Sequence, residues 1–543
     1  MAFYSILFPT LEDEICSGDQ PWLTFRPDDK KCEKYTVRGN KIVLASKQNI
    51  PDAPMRPGLY LDINLDQIMD EVLCHETDEE LREIFYRLCK DADVVLYRQE
   101  VMQALEDRKT GAVFKAFLQS MAKAERLFSY GRQAHNEAQR DKYTLDGAAL
   151  YCDAIRQLLV ETSEMRLMSR GIKSFLDMVR AYVNEPRFIE LMEQTFKAKD
   201  TLEQITYGLR INDGLLYVDF EANATDCVQE ILRDFDAKAR WGVEVDDSRL
   251  EILPFRQVEL SPLEVLIMKA VEERYPKVFR DAHVAAEKAQ MLQKSFIGRF
   301  VKEVRFYFLY LDLMVKLNGK GCPFAYPDIV EEGSIEIRGA YDLALAISAE
   351  AVVPNDFKLS QEERCVIITG ANQGGKTTYA RSIGQVAVLA ALGLPVPCES
   401  VRLPLYSAIF SQFTKAEDAT VDNGKLKEEL LQLKPILMGA GQNSLVILNE
   451  LFSSATQQDA LDMADLTIRE LTDSGAHIVF VTHIEGLRIQ HAVSMVAQVI
   501  KASGQRLYRI IRAEADGRAY AGEIALKHNL AFHQIKERIA HGF

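Results

Sequence analysis

The run Gly370-Ala371-Asn372-Gln373-Gly374-Gly375-Lys376-Thr377 spaces its glycines, lysine and threonine as a phosphate-binding loop requires, G-x-x-x-x-G-K-[ST] without a mismatch. Glycines let backbone N–H groups close around phosphate oxygens at a helix N-terminus. Lys376 is placed to reach the β- and γ-phosphates and the Thr377 hydroxyl to meet Mg²⁺, with Thr378 beside them. The setting agrees: Val366-Ile367-Ile368-Thr369 is a buried-strand run before the loop, and TTYARSIGQVAVLAAL is a helix after it. Such a loop binds nucleotide, with ATP and Mg²⁺ as the expected ligands.

Two later strands end in residues that complete this chemistry. Ser444–Leu448 runs into Asn449-Glu450. A P-loop ATPase needs one acid here to hold the water shell of Mg²⁺ and a second to activate the attacking water. Glu450 suits the second role. Asn449 stands at the first, where its amide oxygen still accepts a hydrogen bond but carries no charge, so slow turnover or weak Mg²⁺ binding is expected. His477–Val481 leads to Thr482-His483, and a histidine at that strand end can sense the γ-phosphate and position water. Lys376, Glu450 and His483 are therefore the catalytic candidates.

The elements that must carry these residues fall into three stretches. Residues 1–64 read as irregular or short-strand structure, 65–330 as helical, and 331–543 as an α/β domain. Apolar residues recur at three and four from Leu65 to Lys199, with helices expected over Ala148 to Met168 and around Phe188 to Lys197. Asn212-Asp213-Gly214 between two alternating runs predicts a hairpin. Ser261-Pro262 starts a long helical pattern that reaches Leu317, with a bend expected at Pro276.

Composition narrows the class. Hydrophobic residues are 48% and charged residues 27%, as in soluble globular chains. No apolar stretch is long enough to span a bilayer and no basic flank marks a secretion signal, so a cytoplasmic protein without a membrane partner is expected. The nine cysteines form no C-x-x-C pair, and His75, His135, His283, His491, His528, His533 and His541 show no metal or nucleophile spacing. The net charge of −15 argues against a broad phosphate grip. Lys109, Lys115, Lys123, Arg126 and Arg132 form the one basic cluster, on a stretch whose charges otherwise read as the wet face of a helix.

From Val353 to Glu537 the sequence resembles the ATPase of the DNA mismatch-repair MutS family. The resemblance rests on VPND at Val353–Asp356, GANQGGKTTYARSIGQ, LNELFSSATQQDALDMA with Asp459 at the D-loop acid, FVTHIEGL, and GRAYAGEIALKHNLAFHQIKERI. It implies an ABC-like nucleotide site formed by Gly370 to Thr378, Asn449 and Asp459, and a homodimer in which a partner's signature loop covers each nucleotide. It also implies a helical core and lever, with a reduced clamp around 205–260, and DNA as the partner. The chain departs from the family in several places. Lys425-Leu426-Lys427 replaces the serine and threonine after the signature glycine Gly424, and Val352 stands where an adenine-stacking aromatic is expected. Residues 221–260 carry ten acidic against five basic side chains. Phe188-Ile189-Glu190 matches the mismatch-reading triplet but lies in an amphipathic stretch that explains it as core and surface. The expected function is a MutS-like homodimeric ATPase that couples ATP to lever motion on DNA, in mismatch repair or recombination, without classical mismatch reading. The alternative is a nucleotide-dependent scaffold for a protein partner.

Overall fold

Val366, Ile367 and Ile368, all but inaccessible to solvent, form the strand that the P-loop caps. The computed structural model describes residues 3–27, 35–38, 41–44, 55–74, 76, 78–166, 168–212, 215–220, 260–331, 333–414, 424–484, 486–487, 489–500 and 505–513. They group into two compact units, one drawn from 1–3, 104–168 and 172–302, the other from 4–103, 169–171 and 303–543. The N-terminal region is thus mainly helical and the C-terminal region a mixed α/β structure.

The second unit is centred on a six-stranded sheet. Its strands are β1 (Cys365–Gly370), β2 (Ala408–Phe413), β3 (Ser444–Asn449), β4 (His477–Val481), β5 (Ala492–Ile500) and β6 (Gln505–Arg512), in the spatial order β2-β3-β4-β1-β5-β6. The first five are parallel and β6 is antiparallel to β5. Near-continuous apolar runs such as Leu445-Val446-Ile447-Leu448 are what a parallel sheet buried on both faces demands. Three helices accompany the sheet: α1 (Lys376–Ala391), α2 (Lys425–Gly439) and α3 (Gln457–Asp473). A separate four-stranded sheet pairs Asp328–Val330, Ser400–Pro404, Ile335–Ala340 and Asn355–Leu359, in that order. Because β3, β4 and β1 lie side by side and run the same way, their carboxyl ends converge on one crevice, where open α/β sheets bind ligands.

The helices depart from the sequence expectation in two places. The pattern from Leu263 to Leu317 is three helices, Pro262–Arg274, Pro276–Ala289 and Ser295–Asn318, rather than one bent helix. Proline has no N–H to continue a ladder and disfavours the helical conformation before it. Tyr275 accordingly sits at φ −122°, ψ 49°, and Pro276 opens a new helix. The helix expected from Ala148 begins at Glu137, because the Asn136 side chain accepts from the Gln139 N–H and caps it there, and it ends at Thr162. Phe188 is buried in the helix Pro186–Glu203, edge-on to Tyr182 at 4.7 Å, while Glu190 is exposed, as the amphipathic reading requires. The hairpin forms between Gly208–Asn212 and Leu215–Asp219. Its turn residues Asp213 and Gly214, and the stretch 221–259 of the expected clamp, lie outside the described residues.

Candidate functional site

Two of the P-loop's glycines are forced by contact. A Cβ on Gly370, at φ +119°, would meet the Ala497 backbone nitrogen at 3.0 Å. One on Gly374 would lie 2.8 Å from the Ala371 carbonyl and 2.9 Å from the Ala497 methyl. Gln373, at φ +58°, supplies the left-handed turn between them, and Gly375, at φ +89°, caps α1. The loop is wedged against β5 at Ala497, which holds its backbone in place.

Lys376 is buried and folds back, donating to the carbonyls of Gly370 at 2.9 Å and Ala371 at 3.1 Å. Burial lowers its pKa, Arg506 adds to that, and the carboxylate of Glu450 opposes it. The Thr377 hydroxyl donates to Asn449 Oδ1 at 3.0 Å, across the gap between α1 and the end of β3. Two neutral oxygens thus face each other where a hard cation seeks oxygen ligands. They fit Mg²⁺ in kind, without the charge that an aspartate adds.

Glu450 sits just past β3 in the left-handed region, at φ +57°, a conformation that costs a non-glycine residue about 1 kcal/mol or more. Its N–H donates to the Val481 carbonyl, and the Thr414 hydroxyl donates to both Asn449 and Glu450 carbonyls, so the turn is held from both sides. That turn aims the Glu450 carboxylate at the neighbouring strand end, where Oε1 lies 3.1 Å from His483 Nε2. The histidine bond holds the Glu450 carboxyl below its ordinary range, with burial working the other way. The structure therefore brings Lys376, Thr377, Asn449, Glu450 and His483 together. Asn372 and Gln373 are exposed on the loop. Asp459 is not brought in: it is exposed in the first turn of α3 and hydrogen-bonded to the cap residue Thr456, and it does not line the cleft. Lys109, Lys115, Lys123, Arg126 and Arg132 are exposed on the helix Arg108–Gln133, whose other face buries Phe114, Phe117, Met121 and Phe128. Asn423 and the segment 517–539 lie outside the described residues.

A cleft of about 440 Å³ opens beside the loop, lined by the P-loop, Glu450, Val352, Asp342 and Tyr508. Tyr508 was not foreseeable from spacing. It comes from β6, where residues 507–509 stand opposite Gln498 alone and Tyr508 adopts φ +56°. Such a bulge re-aims a side chain. Asn355 clamps it, donating to the Tyr508 carbonyl at 3.1 Å and accepting from the Ile510 N–H at 2.7 Å. The Tyr508 ring then lies 3.5 Å from where a Gly375 Cβ would be. Two residues earlier, Arg506 donates to Gln373 of the loop at 3.0 Å. The sequence carries no local sign of either, because only the pairing of β5 with β6 brings them to the loop.

Among the described residues no helix is long and apolar enough to cross a membrane. Residues 366–517, which hold the cleft's strands, match the model of MutS domain V. The chain is 25% identical over 295 residues to the DNA mismatch repair protein MutS of Streptococcus pneumoniae serotype 19F (strain G54), an overlap of 50% of this chain and 34% of the relative. The DNA mismatch repair protein HexA of Streptococcus pneumoniae (strain ATCC BAA-255 / R6) matches with the same 25% over 295 residues. The chain thus covers about a third of the length of these curated relatives, 34% in each case. The domain V match over the P-loop strands and the half-chain likeness to MutS and HexA together support a MutS-family protein.

Proposed function

We propose that this chain binds ATP with Mg²⁺ and hydrolyses it at the crevice formed by β1, β3 and β4. The observation that carries the reading is the pairing of Thr377 with Asn449 and of Glu450 with His483 around an intact P-loop. Loop N–H groups from Gly370 to Thr378 and the Lys376 ammonium receive the phosphates, and Tyr508 offers the apolar face for the base that Val352 lacks. Thr377 and Asn449 would hold Mg²⁺, which supplies positive charge to the phosphate oxygens. Glu450, ionised, orients a water and takes its proton as the water oxygen bonds to the γ-phosphorus and the bond to the β–γ bridging oxygen breaks, leaving ADP and phosphate. His483 holds Glu450 in place. Asp459, set outside the cleft, serves as a D-loop acid only across a dimer.

In the wider reading, two such chains sandwich the nucleotides, residues 65–330 form the core and lever with residues 1–64 ahead of them, and 331–543 is the ATPase. DNA is the partner, following the relatives' printed names, in the cytoplasm. A protein partner in place of DNA is favoured by one observation, the net charge of −15. Binding to homoduplex, mismatched and branched DNA with ATP at two salt concentrations decides between them, with Lys376→Ala as control. Salt-sensitive binding that Lys376→Ala removes supports the DNA reading. ATP turnover without DNA binding at either salt sinks it and leaves the scaffold.

A further inference from the structure

The nucleotide cleft is short of positive charge. Among the described residues that line it, Lys376 is the one cation, against the carboxylates of Glu450 and Asp342. ATP brings several negative charges, and P-loop ATPases ordinarily meet them with the loop lysine and a metal ion held by an acid. Here the metal-holding position is Asn449, an amide bonded to Thr377. A neutral amide gives the metal less hold than a carboxylate does. Some other group must carry more of the phosphate charge if nucleotide is to bind well.

Arg506 stands where such a group is needed. Its Nη1 donates to Gln373 Oε1 at 3.0 Å, which puts the guanidinium against the P-loop. Gln373 is itself exposed and lines the cleft, so the bond leaves the arginine at the mouth, not sealed in the core. The strand that bears it is fixed rather than loose, since Val499 pairs with Arg506 and Asn355 pins the bulge two residues on. The arginine's charge is felt at Lys376, which marks the two cations as neighbours. A guanidinium binds phosphate through two parallel N–H bonds, and an exposed glutamine is a weak competitor for it.

We propose that Arg506 moves from Gln373 onto the phosphates of bound nucleotide and, with Lys376, supplies charge that the Asn449 position no longer recruits through the metal, so that this chain binds ATP with little dependence on Mg²⁺. The proposal rests on the nucleotide-site reading above and adds a second cation from the same chain. Its test is calorimetric titration of the whole chain with ATP, once in excess EDTA and once in saturating Mg²⁺. The wild-type affinity in EDTA falls within about tenfold of that in Mg²⁺, the size of one modest interaction. Arg506→Gln weakens binding in EDTA by roughly ten- to hundredfold, the worth of a charge-assisted hydrogen bond, and by less in Mg²⁺. Arg506→Lys, which keeps the charge and loses the fork, falls between. Wild-type binding that vanishes in EDTA overturns the proposal, as does an Arg506→Gln loss no greater in EDTA than in Mg²⁺. The two readings fail differently. ATP binding that survives Lys376→Ala, or no binding in either condition, removes the nucleotide site itself. Binding lost with Lys376→Ala but indifferent to Arg506→Gln removes only the role of Arg506.

Discussion

The helical unit and the sheet unit hold their key residues by different means. In the helical unit an aromatic cluster does the work: Phe300 is fully buried, stacked on Phe175 with ring centroids 3.5 Å apart, and bordered by Phe3, Phe114 and Phe117. In the sheet unit the residues of the site stand at strand ends, in left-handed turns at Gln373, Glu450 and Tyr508, tied by polar bonds. Burial there is spent on the strands behind them. Stability and chemistry are thus separable: removing apolar volume from the first unit costs folding, and removing one polar atom from the second costs function with the fold intact.

The sharpest way to break that contrast is Phe300→Ala. It deletes a ring from a packed cluster and is expected to lower unfolding free energy by about 3–5 kcal/mol. Denaturant melts of variant and parent measure it, and nucleotide affinity of the folded protein changes little. A loss below about 1 kcal/mol would show that the cluster is not the unit's core. The converse variant is Glu450→Gln. It keeps shape and removes the carboxylate, so turnover drops at least about a hundredfold, the lower end for a positioned base. ATP affinity and melting temperature stay near the parent's. Equal turnover would remove Glu450 from the reaction.

A smaller effect is expected from Asn449→Asp. The Thr377 hydroxyl keeps its acceptor, and the new charge stands beside it, where the proposed Mg²⁺ site lies. Mg²⁺ bound alongside nucleotide should tighten by about tenfold, since one added unit charge near a surface contributes a few kcal/mol before its own desolvation is subtracted. Titrating Mg²⁺ at fixed ATP reads this directly, and unaltered or weaker metal binding would mean that Asn449 does not face the metal.

How much of this was legible in the sequence follows from the range of each interaction. The P-loop, its strand and its helix are contiguous, so motif and setting together place Lys376 and Thr377 in the first turn of the helix that follows the loop. Asn449, Glu450 and His483 were legible because each closes a short apolar strand, and parallel strands in one sheet bring their ends to one side. Helix breaks were misjudged at Pro276 and before Ala148, where one backbone conformation or one capping side chain outweighs an unbroken apolar period. Arg506, Tyr508 and the clamp by Asn355 stayed hidden. They depend on a bulge in an antiparallel strand added beyond β5, and bulge position is fixed by pairing that no local pattern records. Asp459, placed by resemblance alone, is exposed and hydrogen-bonded to its own helix cap at Thr456.

The smallest expected effect lies in the helical unit and tests whether polar bonds matter there as well. His283, on Pro276–Ala289, lies 2.9 Å from Asp141 and 3.4 Å from Glu137 on the facing helix, and 3.7 Å from Glu287 on its own; Arg140 flanks Asp141 at 4.0 Å. The Asp141 bond, and then the surrounding carboxylates, raise the His283 pKa above its ordinary value. Asp141 is also raised, by burial, with His283 pulling it down. An imidazolium among three carboxylates fixes the direction for the histidine. A raised folded pKa contributes stability that is complete below the unfolded value of about 6.5 and is lost as pH rises through the folded one. Because the ring is partly exposed, the contribution is small, below about 1 kcal/mol. Unfolding followed across neutral pH should show the parent losing stability on the alkaline side and His283→Gln losing less. Identical slopes would mean that the aromatic core alone sets the stability of this unit, and the contrast between the two units would then be complete.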